Sequence, residues 1–499
     1  MQIAQKKIRA TGVVSMENMW LERYPFKNPP YAHQRDYLAG FWKRPYAALF
    51  ADMGTGKTYM VINNFAMLYD TGKINSVIII APKGVYRNWV DIELPKHLPE
   101  HIIHRTALWT PSPRKAEKES LERLWDVSED LKILVMNVEA LSTKKGVDYV
   151  RRFLNCTRAF VAIDESTTIK TPTAKRAKAI VELGKHAAYR RIMTGSPITR
   201  SPLDIYQQCA FLSEECLRSP SFYSFRSRYA ILVEKNMGSH SFKKVVGYRK
   251  LDELKEKIKS FSYRIRKDEC LDLPDKVFMK REVQLTKEQV TAYNEMKTMA
   301  LAMFNDGMVT TVNALTQIMR LHQIICGHVK MDDDTVKELP NYRVQELLSV
   351  VEEASDKVII WATYRHDIEA IKLALSKEYG MTSVGTYYGD TDDEERRRVV
   401  QEFQDPDSEL RFFVGNPRTG GYGLTLTAAD TVIYYSNSFD LEVRLQSEDR
   451  AHRIGQTRKV TYVDLMSPGT VDEKIVQALR DKINLSNEVM GEEMKNWLI

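Results

Sequence analysis

Gly54 and Gly56 stand directly before Lys57 and Thr58 in Ala51-Asp-Met-Gly-Thr-Gly-Lys57-Thr58. Glycines at that spacing let the backbone N–H groups of Gly54, Thr55 and Gly56 approach a phosphate, with a helix N-terminus behind them. Lys57 can then reach β/γ-phosphates, and the Thr58 hydroxyl can ligate Mg²⁺. Far along the chain, Asp164-Glu165 ends an apolar run. Asp164 can hold the metal through water, and Glu165 can polarise an attacking water as general base. A third group lies in Gln446-Ser-Glu-Asp-Arg450-Ala-His-Arg453-Ile-Gly-Gln456. The spacing predicts Arg450 and Arg453 on one face of a helix, where two planar, always-charged forks can meet developing phosphoryl charge. Taken singly, the acidic pair fits a helix cap and the arginines fit a salt-bridged surface helix. Together the three groups imply one ATP site made from two distant parts of the chain, with Lys57, Asp164, Glu165, Arg450 and Arg453 as its catalytic set.

The surrounding pattern alternates strand and helix in two blocks. Strands are predicted at 46–51, 76–81, 131–138, 159–164 and 190–194, then at 357–362, 410–415, 431–436 and 459–465, with helical patterns at 366–378 and 392–404 between the later ones. An amphipathic stretch from Lys57 to about Tyr69 supplies the helix after the phosphate loop. Each block reads as an α/β doubly wound parallel sheet, whose C-terminal strand edges are where ligands bind. The region from about 201 to 350 reads as largely helical, with a loop at Met331–Thr335.

The chain has 499 residues, of which 43% are apolar and 28% charged, which is enough for two or three globular domains. Cys156, Cys209, Cys216, Cys270 and Cys326 form no CxxC pair. Neither a zinc ribbon nor a disulfide framework is indicated, and a reducing, cytoplasmic compartment is expected. No apolar leader or membrane-length run is read, so neither a signal peptide nor a membrane partner is expected. The net charge of +7 is modest. Between Phe222 and Lys267, however, thirteen Lys/Arg stand against four Asp/Glu, interleaved with aromatic residues. Such a cluster suits phosphate-backbone binding, and a solvated helical face is the alternative.

In their order, these motifs resemble those of superfamily-two helicases and, more narrowly, Swi/Snf-type DNA translocases. Tyr31-Ala-His-Gln34 is similar to the adenine-reading element, which assigns Gln34 to the base edge. Ile80-Ala-Pro-Lys83 with Trp89, and Ser166-Thr-Thr-Ile-Lys170, resemble elements that run near DNA, implying Lys83 and Lys170 as contacts. The usual Ala-His after the acidic pair is absent. Thr194-Gly195-Ser196 resembles the segment coupling ATP state to lobe movement. The middle of the chain narrows the resemblance: Tyr263-Arg264-Ile-Arg266-Lys267 before Leu273-Pro274 looks like the family's basic segment and Leu-Pro turn. Gly415-Asn-Pro-Arg418-Thr419-Gly-Gly-Tyr-Gly423 resembles a coupling loop meeting DNA and nucleotide, with Thr419 where alanine is common. The resemblance places Gly423 and Gln446 with Gln34 at the nucleotide, and Arg264, Arg266, Lys267, Arg418 and Thr419 on the DNA path.

The resemblance implies two RecA-like lobes with helical insertions. Lobe 1 is expected at 1–285 with an insertion at about 201–262, a helical protrusion and linker at 286–345, and lobe 2 at 346–499. It further implies a monomeric DNA-dependent ATPase using ATP and Mg²⁺ that tracks duplex or branched DNA. The compact chain resembles phage or bacterial members, serving recombination, repair or remodelling of protein–DNA complexes. A strand-separating or branch-migrating helicase would share the ATP motifs, and a nucleotide-gated DNA-binding module would share the fold.

Overall fold

The long apolar runs become strands covered on both faces, the arrangement that parallel sheets require. In the computed structural model, residues 16–237, 240–271, 273–305, 311–331, 335–420 and 424–490 are described. Gly423 lies outside the described residues, as do the acidic residues 332–334 of the expected loop.

The first lobe contains β1 (Tyr46–Ala51), β2 (Ser76–Ala81), β3 (His104–Trp109), β4 (Leu131–Asn137), β5 (Ala159–Asp164) and β6 (Tyr189–Thr194). After them comes an antiparallel pair, β7 (Ala230–Met237) and β8 (His240–Tyr248), and then β9 (Ser262–Ile265). Apart from β7 and β8 these strands form one parallel sheet in the order β3-β4-β2-β5-β6-β1-β9. Its core has two sides, one around Phe50, Ile78 and Ile163 and one around Leu49, Ile79 and Phe65, all without solvent exposure or nearly so. Burial of each such side chain is worth about 1.5–3 kcal/mol.

The second lobe holds β10 (Lys276–Glu282), the small antiparallel pair β11 (His328–Lys330) and β12 (Val336–Glu338), and then β13 (Lys357–Trp361), β14 (Val384–Tyr387), β15 (Phe412–Gly415), β16 (Ala429–Tyr434) and β17 (Val460–Met466). Its parallel sheet runs β10-β17-β16-β13-β15-β14. Two helices, Lys287–Asn305 and Thr311–Cys326, form the protrusion. The C-terminal helix Val471–Met490 returns to pack on the helix Leu251–Phe261 of the first lobe. Among the described residues, no helix is long and apolar enough to cross a membrane.

Two features differ from the sequence reading. The insertion at 201–262 is not wholly helical, because β7 and β8 interrupt it. Its cations and aromatics hid the β-branched residues Ile231, Val233, Val245 and Val246, which favour strands. The lobe boundary at 285 is also displaced. β10 pairs with β17 from Lys276 opposite Val460 to Glu282 opposite Met466, so the second sheet begins before that boundary.

Candidate nucleotide site between the lobes

β1 ends at Ala51, and the loop into the helix Lys57–Asp70 turns on Gly54 and Gly56 at φ +80° and +84°. Those values favour glycine. Space demands it as well, because a Cβ on Gly56 would lie 2.2 Å from Gln34 Nε2. Gln34 braces the loop: its Nε2 donates to the Thr55 carbonyl at 3.3 Å, its Oε1 accepts from the Tyr31 N–H at 3.0 Å, and His33 Nε2 lies 2.8 Å from the same Thr55 oxygen. Lys57 is buried and donates from Nζ to the Ala51 carbonyl at 3.0 Å. Thr58, half-buried, follows on the first turn of the helix.

β5 brings Asp164 to the same sheet edge, and Glu165 leaves it at φ 47°, a left-handed conformation that is uncommon for this residue type. Trp89 Nε1 donates to Asp164 Oδ2 at 2.9 Å, while the Glu165 N–H donates to Asp164 Oδ1 at 3.0 Å. On Glu165, Oε2 accepts from Thr194 Oγ1 at 3.0 Å. Burial raises the Asp164 carboxyl above its ordinary range, although Trp89 and Lys57 oppose the rise. Burial, against the pull of Lys57, pushes Glu165 up to about 7, with Asp164 and Glu442 adding to the shift. A carboxylate near neutrality suits a general base. The oxygen donors of Thr58 and Asp164 form a hard set that fits Mg²⁺.

Thr194-Gly195-Ser196 connects these parts. The Ser196 N–H reaches Thr194 Oγ1 at 3.3 Å, and a Cβ on Gly195 would lie 3.4 Å from the Met53 nitrogen of the phosphate loop.

Across the cleft, the helix Leu441–Glu448 ends before the paired arginines. Arg450 and Arg453 lie in the turn beyond it, so they do not share a helical face as the spacing predicted. Arg450 donates from Nε to the Gln446 carbonyl at 2.8 Å and from Nη1 to the Leu424 carbonyl at 3.0 Å, and its Nη2 lies 3.5 Å from Met53 Sδ in the first lobe. Arg453 donates to the Leu424 carbonyl at 2.9 Å, and its Cβ lies 3.3 Å from the position of a Cβ on Gly54. Both arginines thus meet the phosphate loop. Gln446 is buried, with Nε2 toward Glu442 at 3.4 Å and, among the described residues, Oε1 without a hydrogen-bond partner. His452 serves packing, as its Nε2 is bound at 2.7 Å to the Pro274 carbonyl.

The residues expected on the DNA path divide into two groups. Lys83 is exposed, and Arg418 is exposed with Asp440 3.7 Å away; Thr419, beside it, is half-buried. The others are already paired, Lys170, Arg264 and Lys267 within the protein and Arg266 at its surface. Lys170 donates to Thr199 Oγ1 at 2.6 Å and to Glu442 Oε2 at 3.1 Å. Arg264 reaches the Phe50 and Gly195 carbonyls and pairs with Asp52 at 3.1 Å. Arg266 pairs with Asp268 and Glu269. Lys267, expected to face DNA, is buried at the lobe junction on Asp449 Oδ1 at 2.5 Å and the His452 carbonyl at 2.6 Å.

Sequence reasoning missed Glu442, which joins the lobes, and Asp52 and Glu448, which brace the first and the second lobe beside the junction. Glu442 accepts from Thr167 Oγ1 at 2.6 Å as well as from Lys170. Asp52 holds the Lys267 N–H and Arg264, and Glu448 takes Lys276 at 3.2 Å. Asp52 sits inside the phosphate motif and was open to notice. Glu442 gave no signal, since its partners are 272 and 275 positions away.

The SNF2-related domain matches residues 33–331, and the helicase conserved C-terminal domain matches residues 342–455. A Bacillus subtilis protein named as an ATP-dependent helicase/translocase is 27% identical over 91% of this chain and 47% of its own length. The human SWI/SNF-related matrix-associated actin-dependent regulator of chromatin subfamily A member 1 is 25% identical over 91% of this chain and 42% of its own. The chain therefore spans less than half the length of these relatives. A solved SWI2/SNF2 ATPase core of Sulfolobus solfataricus in complex with double-stranded DNA is 25% identical, covers 94% of each chain and has a TM-score of 0.41. With the SNF2-related domain matching more than half of the chain and the helicase C-terminal domain following in order, the chain belongs to the SNF2-related family of helicase-like proteins.

Proposed function

We propose that this protein is an ATP-dependent DNA translocase, coupling ATP hydrolysis to movement along duplex or branched DNA. The observation that carries this reading is the contact of Arg450 with Met53 and of Arg453 with Gly54, which brings the second lobe's cations to the first lobe's phosphate loop. In the mechanism, Lys57 and the loop N–H groups hold the phosphates, and Glu165 takes the proton of the attacking water. Arg450 and Arg453 offset charge on the transferred phosphoryl group. Thr58 and Asp164 would hold Mg²⁺, whose part is to neutralise charge shared by the β- and γ-phosphates.

Because the site needs both lobes, any ligand that favours their approach stimulates turnover. DNA lying across both lobes is such a ligand. A cycle of approach and release shifts one lobe along the strand relative to the other. Lys83 and Arg418 are the exposed candidates for backbone contact, with Thr419 and Arg266 partly open and Lys170 and Arg264 able to join only after rearrangement. The function proposed is as a monomer in a bacterial or phage-infected cytoplasm, in recombination, repair or remodelling of protein–DNA complexes.

The test is ATPase activity with Mg²⁺, without DNA and with single-stranded, duplex, forked and four-way DNA, followed by displacement of a third strand from a triplex. Duplex stimulation with triplex displacement and no unwinding of a plain duplex is the expected result. Unwinding would favour the strand-separating helicase, and ATPase no higher than that of Glu165→Gln would refute the motor.

A further inference from the structure

Away from the nucleotide site, His328, His366 and Asp367 offer ligand atoms that all lie within 4.8 Å of one another. His328 opens β11, and His366 and Asp367 stand in the first turn of the helix Arg365–Tyr379. His328 and Asp367 are enclosed at 2% and 1% exposure, and His366 is partly open. Burial of this degree is costly for a histidine and a carboxylate unless each polar atom finds a partner.

Two of those atoms are in an unusual relation. His328 Nδ1 and Asp367 Oδ1 approach to 3.2 Å, yet among the described residues neither has a hydrogen-bond partner. They form an ion pair only when the ring is protonated; on a neutral ring with its proton at Nε2 they are two lone pairs facing each other. Two donor atoms converging on a common centre have this geometry. The rings of His328 and His366 stack, with centroids 4.6 Å apart.

Supporting groups hold the two ligands on the helix. The other oxygen of Asp367, Oδ2, accepts from Ser436 Oγ at 3.0 Å, and His366 Nε2 lies 3.2 Å from Glu338 Oε1 on β12. Partners of this kind fix the orientation of ligating carboxylates and imidazoles. Water could fill the fourth position.

We propose that His328, His366 and Asp367 bind a first-row divalent metal of the Zn²⁺ class. Two imidazoles and one carboxylate form a borderline donor set that prefers such an ion to Mg²⁺ or Ca²⁺, and three protein ligands with one open position is an established zinc arrangement. The site is chemically unlike the all-oxygen set of Thr58 and Asp164. Because β11 follows the helix Thr311–Cys326 directly, the ion fastens the base of the helical protrusion to the lobe that carries Arg450 and Arg453.

The test uses the full chain, freed of any affinity tag and stripped of metal, titrated with Zn²⁺ and separately with Co²⁺ in the absence of nucleotide. About one equivalent of Zn²⁺ should survive gel filtration, the melting temperature should rise, and Co²⁺ should give the visible absorption of a four-coordinate complex. His366→Ala, at the partly open position, should abolish retention while circular dichroism stays unchanged. Glu338→Gln, on the surface, should weaken Zn²⁺ binding by about tenfold. The proposal is overturned if the wild-type chain retains no Zn²⁺, which would leave a metal-free polar cluster, or if folded His366→Ala retains as much as wild type, which would move the binding elsewhere.

Discussion

Arg450 and Arg453 share one acceptor, the Leu424 carbonyl, at 3.0 and 2.9 Å. A single backbone oxygen in the glycine-rich loop therefore aligns both guanidiniums at the face of the phosphate loop. Replacing either arginine by alanine should lower kcat by roughly a thousandfold and leave nucleotide affinity within a fewfold of wild type, because charge stabilisation of this kind acts in the transition state. Steady-state ATPase beside titration with a fluorescent nucleotide checks this, and normal turnover by either variant would refute the two-lobe site.

As the proposed general base, Glu165 should set the pH dependence. It must be ionised to accept a proton, and burial, opposed by Lys57, pushes it up to about 7. Turnover should thus be low in mild acid, rise through about pH 7 and level off above it. Stability runs the other way. With its carboxyl raised in the folded state, the fold is favoured while the group stays protonated and loses that advantage as pH rises through about 7. Glu165→Gln should abolish hydrolysis and gain in melting temperature relative to wild type between pH 6 and pH 8.

The division among the basic residues predicts different effects on DNA binding. Neutralising exposed Lys83 or Arg418 should reduce the salt slope of DNA affinity by about one unit each if they meet phosphates. Lys267→Ala should leave that slope unchanged and instead lower ATPase, since Lys267 answers Asp449 at the lobe junction. Binding titrations across a salt series separate the two, and a slope change for Lys267→Ala would return that residue to the DNA path.

Much of this was legible because phosphate chemistry constrains backbone as well as side chain. Lys57, Asp164 and Glu165 were fixed by a glycine turn and by an apolar run ending in acids. The fully covered strands β1, β2 and β5 were read to the residue for the same reason, since continuous apolar sequence has few other uses. β3, at an edge, carries exposed His104 and partly covered Arg105 and Thr106, and left no comparable trace. Arg450 and Arg453 were found through a periodicity the structure does not use: the helix stops at Glu448, and a carbonyl on another loop does the aligning. Lys267 shows the limit of charge counting, because a cation among many looks the same in sequence whether it faces solvent or a buried aspartate.

Within the second lobe, Arg343 is fully buried and pairs with Asp472 and the Tyr435 carbonyl. Burial alone would raise the Asp472 carboxyl, yet Arg343 and His322 hold it down at about 2. Arg343→Ala should cost about 3–5 kcal/mol by leaving a buried carboxylate unanswered. The wild-type pair should stabilise the fold above the ordinary carboxylate range and lose that contribution as pH falls toward 2. Denaturant melts of both proteins at several pH values test this, and equal stability at pH 7 would contradict it.

Glu442 predicts how the lobes communicate. It takes Thr167 and Lys170 from the segment directly after Glu165. Glu442→Gln should lower DNA-stimulated ATPase severalfold more than DNA-free ATPase, and equal loss in both would remove it from the coupling route.

The strand β10 begins only a short way after β9 ends, at Lys276 against Ile265, yet the two lie in different sheets. The tether between the lobes is thus a strap sewn at both ends into sheet edges, with a reach on the order of 30 Å when fully drawn out. The lobes are hobbled: they can rock and slide, but neither can wander from the other. Only a movement that uses up this reach would pull on the rows of backbone hydrogen bonds that hold β9 to β1 and β10 to β17.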